Sequence, residues 1–104
     1  MPKVPTQIKI GPHTYRVVRK SAKEMGEQLG DCEPNDNVII LRSRLRLGKA
    51  QEILLHEIQH ACTYPTLWGK TLEDEEFIDG IAPVLLQVMQ DNPQLMEFLT
   101  FKKV

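Results

Sequence analysis

Two histidines four residues apart enclose a glutamate in "ILLHEIQHACTY", residues 53–64. At about 100° per residue, a helix sets His56 and His60 within about 40° of each other, one turn apart. Leu54, Ile58, Ala61 and Cys62 then point the other way. Two imidazoles in that relation can reach one ion at the roughly 2.0–2.1 Å that zinc prefers. Glu57 falls between the two faces. It is too far round to be an easy ligand but well placed to touch a water on the metal. The spacing therefore points to two ligands and one general base. The chain has three histidines, and two of them are here.

A catalytic zinc site takes three protein ligands plus water. A third histidine six residues past His60 is absent, because that position is Thr66. His13 stands far upstream, beside the breaker Gly11-Pro12. Glu52 lies one turn before His56, but three ligands stacked along one straight helix cannot wrap an ion. The remaining source is "LEDEEFIDGIAPVLLQVM", where Glu73, Asp74, Glu75 and Glu76 compete. Helix-dipole compensation accounts for Glu73 and Asp74. Glu76 shares its direction with Gly80, Pro83, Gln87 and Gln90, a polar arc. Glu75 falls in line with Asp79, Ala82 and Leu86, beside Ile78 and Met89, an arc apolar enough to face the interior. A carboxylate buried there must be paired or bound to metal. Glu75 is therefore favoured over Glu76 as third ligand. Asp79, one turn on, would orient a ligand histidine through its outer N–H.

The elements that must hold these groups can be read in order. The 104 residues fit a single domain, 1–104, long enough to bury a core without staples. Apolar content of 41% with 26% charged residues is ordinary for a soluble globular chain. Net charge −1 argues against a nucleic-acid or membrane surface. The N-terminus lacks a signal-peptide core, and no apolar run spans a bilayer, so a cytoplasmic location is expected. Cys32 and Cys62, in no metal-ligand spacing, are expected to be reduced thiols. Alternation of Ile8, Ile10, Tyr15 and Val17 predicts a hairpin of strands 6–10 and 14–19. Ser21 and Glu24 match a capping box, so a helix over 22–29 is expected, closed by Gly30. "DCEPND" reads as a polar turn and "NVIIL", 37–41, as a strand. Arg42, Arg44 and Arg46 would share one face of an extended chain, as a solvated edge or a cationic rim. A helix from Lys49 to about Tyr64 is expected, stopped by Pro65. A second spans about 72–91, kinked or divided at Pro83, and a short helix starts at Asn92-Pro93.

His56-Glu57-x-x-His60 followed by Glu75-x-x-x-Asp79 on a later helix resembles the gluzincin clan of zinc metallopeptidases. It looks most like the small single-domain members such as minigluzincins, and the compact peptidases of the ImmA/IrrE type. The ending "GIAPVLLQVMQDNPQL" is similar to short metallopeptidase-like proteins of bacteriophages, which would place the chain in a host cytoplasm. The resemblance covers roughly residues 37–99. It implies a small zincin-like α+β domain: an N-terminal hairpin, a short antiparallel sheet, an active-site helix and a C-terminal glutamate helix. "NVIIL" would hold the place of the edge strand that aligns an extended substrate.

The expected chemistry follows. One Zn2+ on His56, His60 and Glu75 would activate water, and Glu57 would carry the proton to the leaving amine of a peptide or protein substrate. Tyr64, Tyr15 and His13 are the candidates for oxyanion contact. Two other functions fit the sequence. One is a zinc-binding protein that recognises a partner with weak or no turnover. The other is a DNA-associated regulator using the arginine strand.

Overall fold

The computed structural model describes residues 2–67 and 75–102, and of residues 64–67 and 75–79 the backbone alone. Four strands and four helices follow one another: β1 (Gln7–Ile10), β2 (His13–Lys20), α1 (Ala22–Met25), β3 (Gly30–Glu33), β4 (Val38–Arg42), α2 (Leu47–Leu67), α3 (Glu75–Asp91) and α4 (Pro93–Thr100). The class is α+β, as expected. The hairpin forms at the expected place, with Ile8 opposite Tyr15 and Gly11 at φ 58 in the turn. That left-handed backbone suits glycine, which has no Cβ to clash.

The sheet differs from expectation in one respect. Its order is β1-β2-β4-β3, and the central pair β2–β4 is parallel. β3 and β4 form a second antiparallel hairpin, so the sheet is mixed and not purely antiparallel. The cause lies in the segment after β2. The capping box forms, with Ser21 Oγ accepting from the Glu24 N–H and Glu24 answering to the Ser21 N–H. The helix nevertheless lasts one turn, because Gly26 at φ 63 leaves helical space. Gly30 then opens a strand where a helix end was expected. β3 takes the outer edge, and β4 lies between two neighbours. Val38 to Leu41 are all buried, as a central strand demands. "NVIIL" is therefore not the edge; "GDCE" is.

One face of the sheet carries the core. Ile8, Ile10, Tyr15, Ile39 and Leu41 meet Leu54, Ile58, Ala61 and Cys62 of α2, Val88 of α3, and Leu95 and Phe98 of α4. The α2 set recurs at spacings of three and four, so one stripe of the helix is apolar and fully covered. Burying a side chain such as Leu54 or Ile58 stabilises by about 1.5–3 kcal/mol. α2 continues through Pro65 to Leu67. A proline inside a helix forfeits one hydrogen bond, yet its fixed φ is one that a helix accepts. Pro83 likewise lies within the single helix α3 and does not divide it. It is exposed.

The three arginines do not lie on one extended strand. Arg42 ends β4, Arg44 turns the chain at φ 65, and the Arg46 carbonyl accepts from Ala50 N–H at 2.8 Å at the start of α2. Among the described residues, no helix is long and apolar enough to cross a membrane.

The free edge of β1 is closed by side-chain amides. Asn92 Oδ1 accepts from the Lys9 N–H at 2.8 Å, and Asn92 Nδ2 donates to the Lys9 carbonyl at 2.9 Å and to that of Val88 at 2.9 Å. Gln87 adds bonds to Gly11 N–H at 2.7 Å and to the Lys9 carbonyl at 3.1 Å. These groups do for β1 what a fifth strand would do. Asn92 is buried and Gln87 works near solvent. Asn92→Ala should therefore cost about 2 kcal/mol of stability, and Gln87→Ala under about 1 kcal/mol, in urea unfolding. Equal losses would contradict this division.

Candidate metal centre

The histidine pair is where the helix face put it. The packing of Leu54, Ile58, Ala61 and Cys62 turns His56 and His60 outward, and both are exposed. Their Nε2 atoms lie 3.1 Å apart and their rings meet edge to face, with centroids 4.8 Å apart. Two nitrogens bound tetrahedrally to one zinc at about 2.05 Å would be about 3.3 Å apart. The pair is thus already close to a chelating geometry. Among the described residues, His56, Glu57 and His60 form the one group of three or more His, Cys, Asp or Glu able to hold a metal ion. Their ligand atoms all lie within 4.8 Å of one another.

Glu57 is more enclosed than its intermediate helical position suggests, with 6% of its surface exposed. α2 packs against β3, and the Glu57 side chain lies at Gly30. A Cβ on residue 30 would stand 2.6 Å from Ile53 Cγ2 and 3.1 Å from Glu57 Oε2. Only a residue without a side chain lets the carboxylate and the strand approach this closely. Burial raises the Glu57 pKa above its ordinary value. His56 and His60 pull it back in part, and Asp31 pushes it up further. A carboxylate held this way is tuned toward exchanging protons nearer neutrality.

Other expectations meet mixed outcomes. Glu52 is engaged by Lys49 at 3.1 Å on the exposed side of α2. His13 lies at the exposed start of β2, outside the His56–Glu57–His60 group. Tyr15 is 3% exposed and belongs to the core, so it is no candidate for substrate contact. The side chains of Tyr64, Glu75, Glu76 and Asp79 lie outside the described residues, as do Glu73 and Asp74. Glu75 opens α3.

The ground for preferring Glu75 over Glu76 does need correction. The arc expected to face the interior is the outward one: Ala82 is exposed, and Leu86 and Met89 are 55% and 51% exposed. The inward arc is Ile81, Val84, Leu85 and Val88. Both arcs are apolar in sequence, and the four-residue arc buries more against β1 and α2.

Sequence reasoning missed β3 and its Gly30 and Asp31. A signal was present, since Pro34 to Asn37 is a turn sequence between "GDCE" and "VIIL", and Asn37 takes φ 54.

Compared with known protein families, curated proteins and solved structures, the chain matches none. The centre stands on its own geometry.

Both thiols are free. Burial, with Glu57 next in effect, pushes Cys32 up to about 12, and burial pushes Cys62 up to about 11. Neither is a thiolate at neutral pH. Iodoacetamide at pH 8 should modify neither in the folded protein and both after unfolding, as read by mass spectrometry.

The raised Glu57 pKa also sets a sign. The unfolded chain ionises this carboxyl at lower pH than the folded one, so its charge costs stability above the ordinary carboxylate range. Metal-free Glu57→Gln should therefore melt at higher temperature than wild type at pH 8. The gap should close as pH falls toward about 4. A gap that persists in acid would refute the burial cost.

Proposed function

We propose that this chain is a zinc-dependent peptidase of the gluzincin kind. The carrying observation is the pair of outward Nε2 atoms 3.1 Å apart beside a carboxylate buried against an edge strand. The donor set suits a divalent ion of the zinc type, which imidazole and carboxylate bind in common. His56 and His60 would hold it, with a carboxylate from the start of α3, Glu75 or Glu76, as third ligand. A bound zinc supplies Lewis acidity, making water a nucleophile near neutral pH and polarising a carbonyl.

The protein residues divide the remaining work. A Glu57 carboxylate oxygen takes the proton of the attacking water and returns it to the leaving amine. Its raised pKa suits both halves of that transfer. Gly30 lets Glu57 sit beside the strand. β3 is an outer strand of the sheet, and its backbone N–H and C=O groups would align an extended peptide by strand addition. Asp79 would orient a ligand imidazole, and Tyr64 is the remaining candidate for an oxyanion donor.

Protein purified without added metal should carry about one zinc per chain by elemental analysis. His56→Ala and His60→Ala should each lose it. Glu57→Ala should keep the metal and lower peptide cleavage by about 10²–10⁴-fold. Unchanged cleavage in that variant sinks the peptidase reading. Metal retained with no cleavage in the wild type leaves the non-catalytic zinc-binding protein in its place. Loss of zinc in Glu75→Ala but not Glu76→Ala identifies the third ligand; equal retention rejects Glu75.

A further inference from the structure

The backbone of β3 divides its groups between two sides. The Leu29 carbonyl accepts from the Arg42 N–H at 2.9 Å, and the register continues through Asp31 opposite Ile40 and Glu33 opposite Val38. In an antiparallel pair, residues that exchange hydrogen bonds alternate with residues that do not. Leu29, Asp31 and Glu33 therefore turn their N–H and C=O groups toward β4. Gly30 and Cys32 turn theirs outward. Among the described residues, no strand pairs with that outer border.

The side chains alternate too. Gly30 faces α2, where the buried Glu57 carboxylate comes to it. Asp31 and Glu33 stand on the opposite face of the sheet. Their cross-strand neighbours on β4 are Ile40 and Val38, which carry no charge. Among the described residues the one side-chain ion pair is Lys49–Glu52, so neither acid has a basic partner there. Asp36, exposed in the turn that follows, adds a further negative charge at the Glu33 end.

We infer that β3 selects peptides with two basic residues, lysine or arginine, set two positions apart. This names the substrate class of the peptidase proposed above and rests on that reading for its turnover. Antiparallel pairing is the more stable per residue, and it joins the guest to Gly30 and Cys32 through their outward groups. The guest residue opposite Gly30 lies nearest Glu57, so the cut falls beside it. The guest residues opposite Asp31 and Glu33 then come one and three positions upstream. Both fall in the pairs that exchange no hydrogen bonds, where side chains stand closest. Cβ atoms directly opposite are about 4.5–5.5 Å apart, within easy reach of an ammonium or guanidinium group. Opposite charges stabilise such a pair and like charges destabilise it. An acidic guest is therefore rejected at the same two places that hold a basic one.

A mixed library of short peptides, cut by the zinc-loaded protein and read by mass spectrometry, tests the selection. Cuts are expected downstream of lysine or arginine pairs two positions apart, favoured about tenfold over alanine pairs. Asp31→Asn/Glu33→Gln should erase that preference. Asp31→Lys/Glu33→Lys should pass it to acidic pairs. Both variants should keep wild-type zinc content and circular dichroism. Binding of a fluorescein-labelled peptide bearing Lys-Ala-Lys to Glu57→Ala protein, read by polarisation, reports the same preference without turnover. Cleavage with no basic preference, or a preference unmoved by the reversal, overturns this inference and leaves the peptidase standing. Selective binding that the reversal inverts, with no cleavage by the wild type, removes the peptidase and keeps the basic-selective border. Neither cleavage nor selective binding overturns both. A basic pair found downstream of the cut overturns the antiparallel register.

Discussion

The seating of α2 on β3 and β4 is the constraint on which the rest depends. Leu54, Ile58, Ala61 and Cys62 can reach the core in only one rotation of the helix. That rotation sends His56 and His60 to solvent and drives Glu57 against Gly30. The centre is thus a by-product of hydrophobic packing, set by the angular offset between residues 54 and 56. A shift of the apolar stripe by one residue would rotate the helix by about 100° and separate the histidines from the strand.

That same seating sets the electrostatics. Glu57 is the buried charged side chain among the described residues, and its carboxyl is held above its ordinary pKa by the apolar wall around it. The two histidines oppose this in part. Storing an unfavourable charge in this way costs folding stability. Of the two thiols, Cys62 is buried and Cys32 half-buried, and burial raises the pKa of both.

Most of this was legible in local pattern. Alternation of Ile8, Ile10 and Tyr15 marked the hairpin, and the spacing of Leu54, Ile58 and Ala61 marked the buried face of α2. What local pattern could not carry was pairing between distant segments. The parallel contact of β2 with β4 depends on Gly26 ending α1 early and on a polar strand, "GDCE", that has no alternation to announce it. The outward turn of Leu86 and Met89 was equally hidden. α3 has two apolar arcs, and only tertiary packing chooses between them.

The two borders of the sheet are treated unequally, and this gives the molecule a direction. At β1 the amides of Asn92 and Gln87 occupy the backbone groups that a foreign strand would seek. At β3 no such plug exists among the described residues. Under the proposed function, strand addition by a peptide would take place at β3, the border beside Glu57. A border left to receive a peptide would also be the one more open to aggregation. A resident ligand along β3 would act as its own chaperone, shielding the chain while it is being bound.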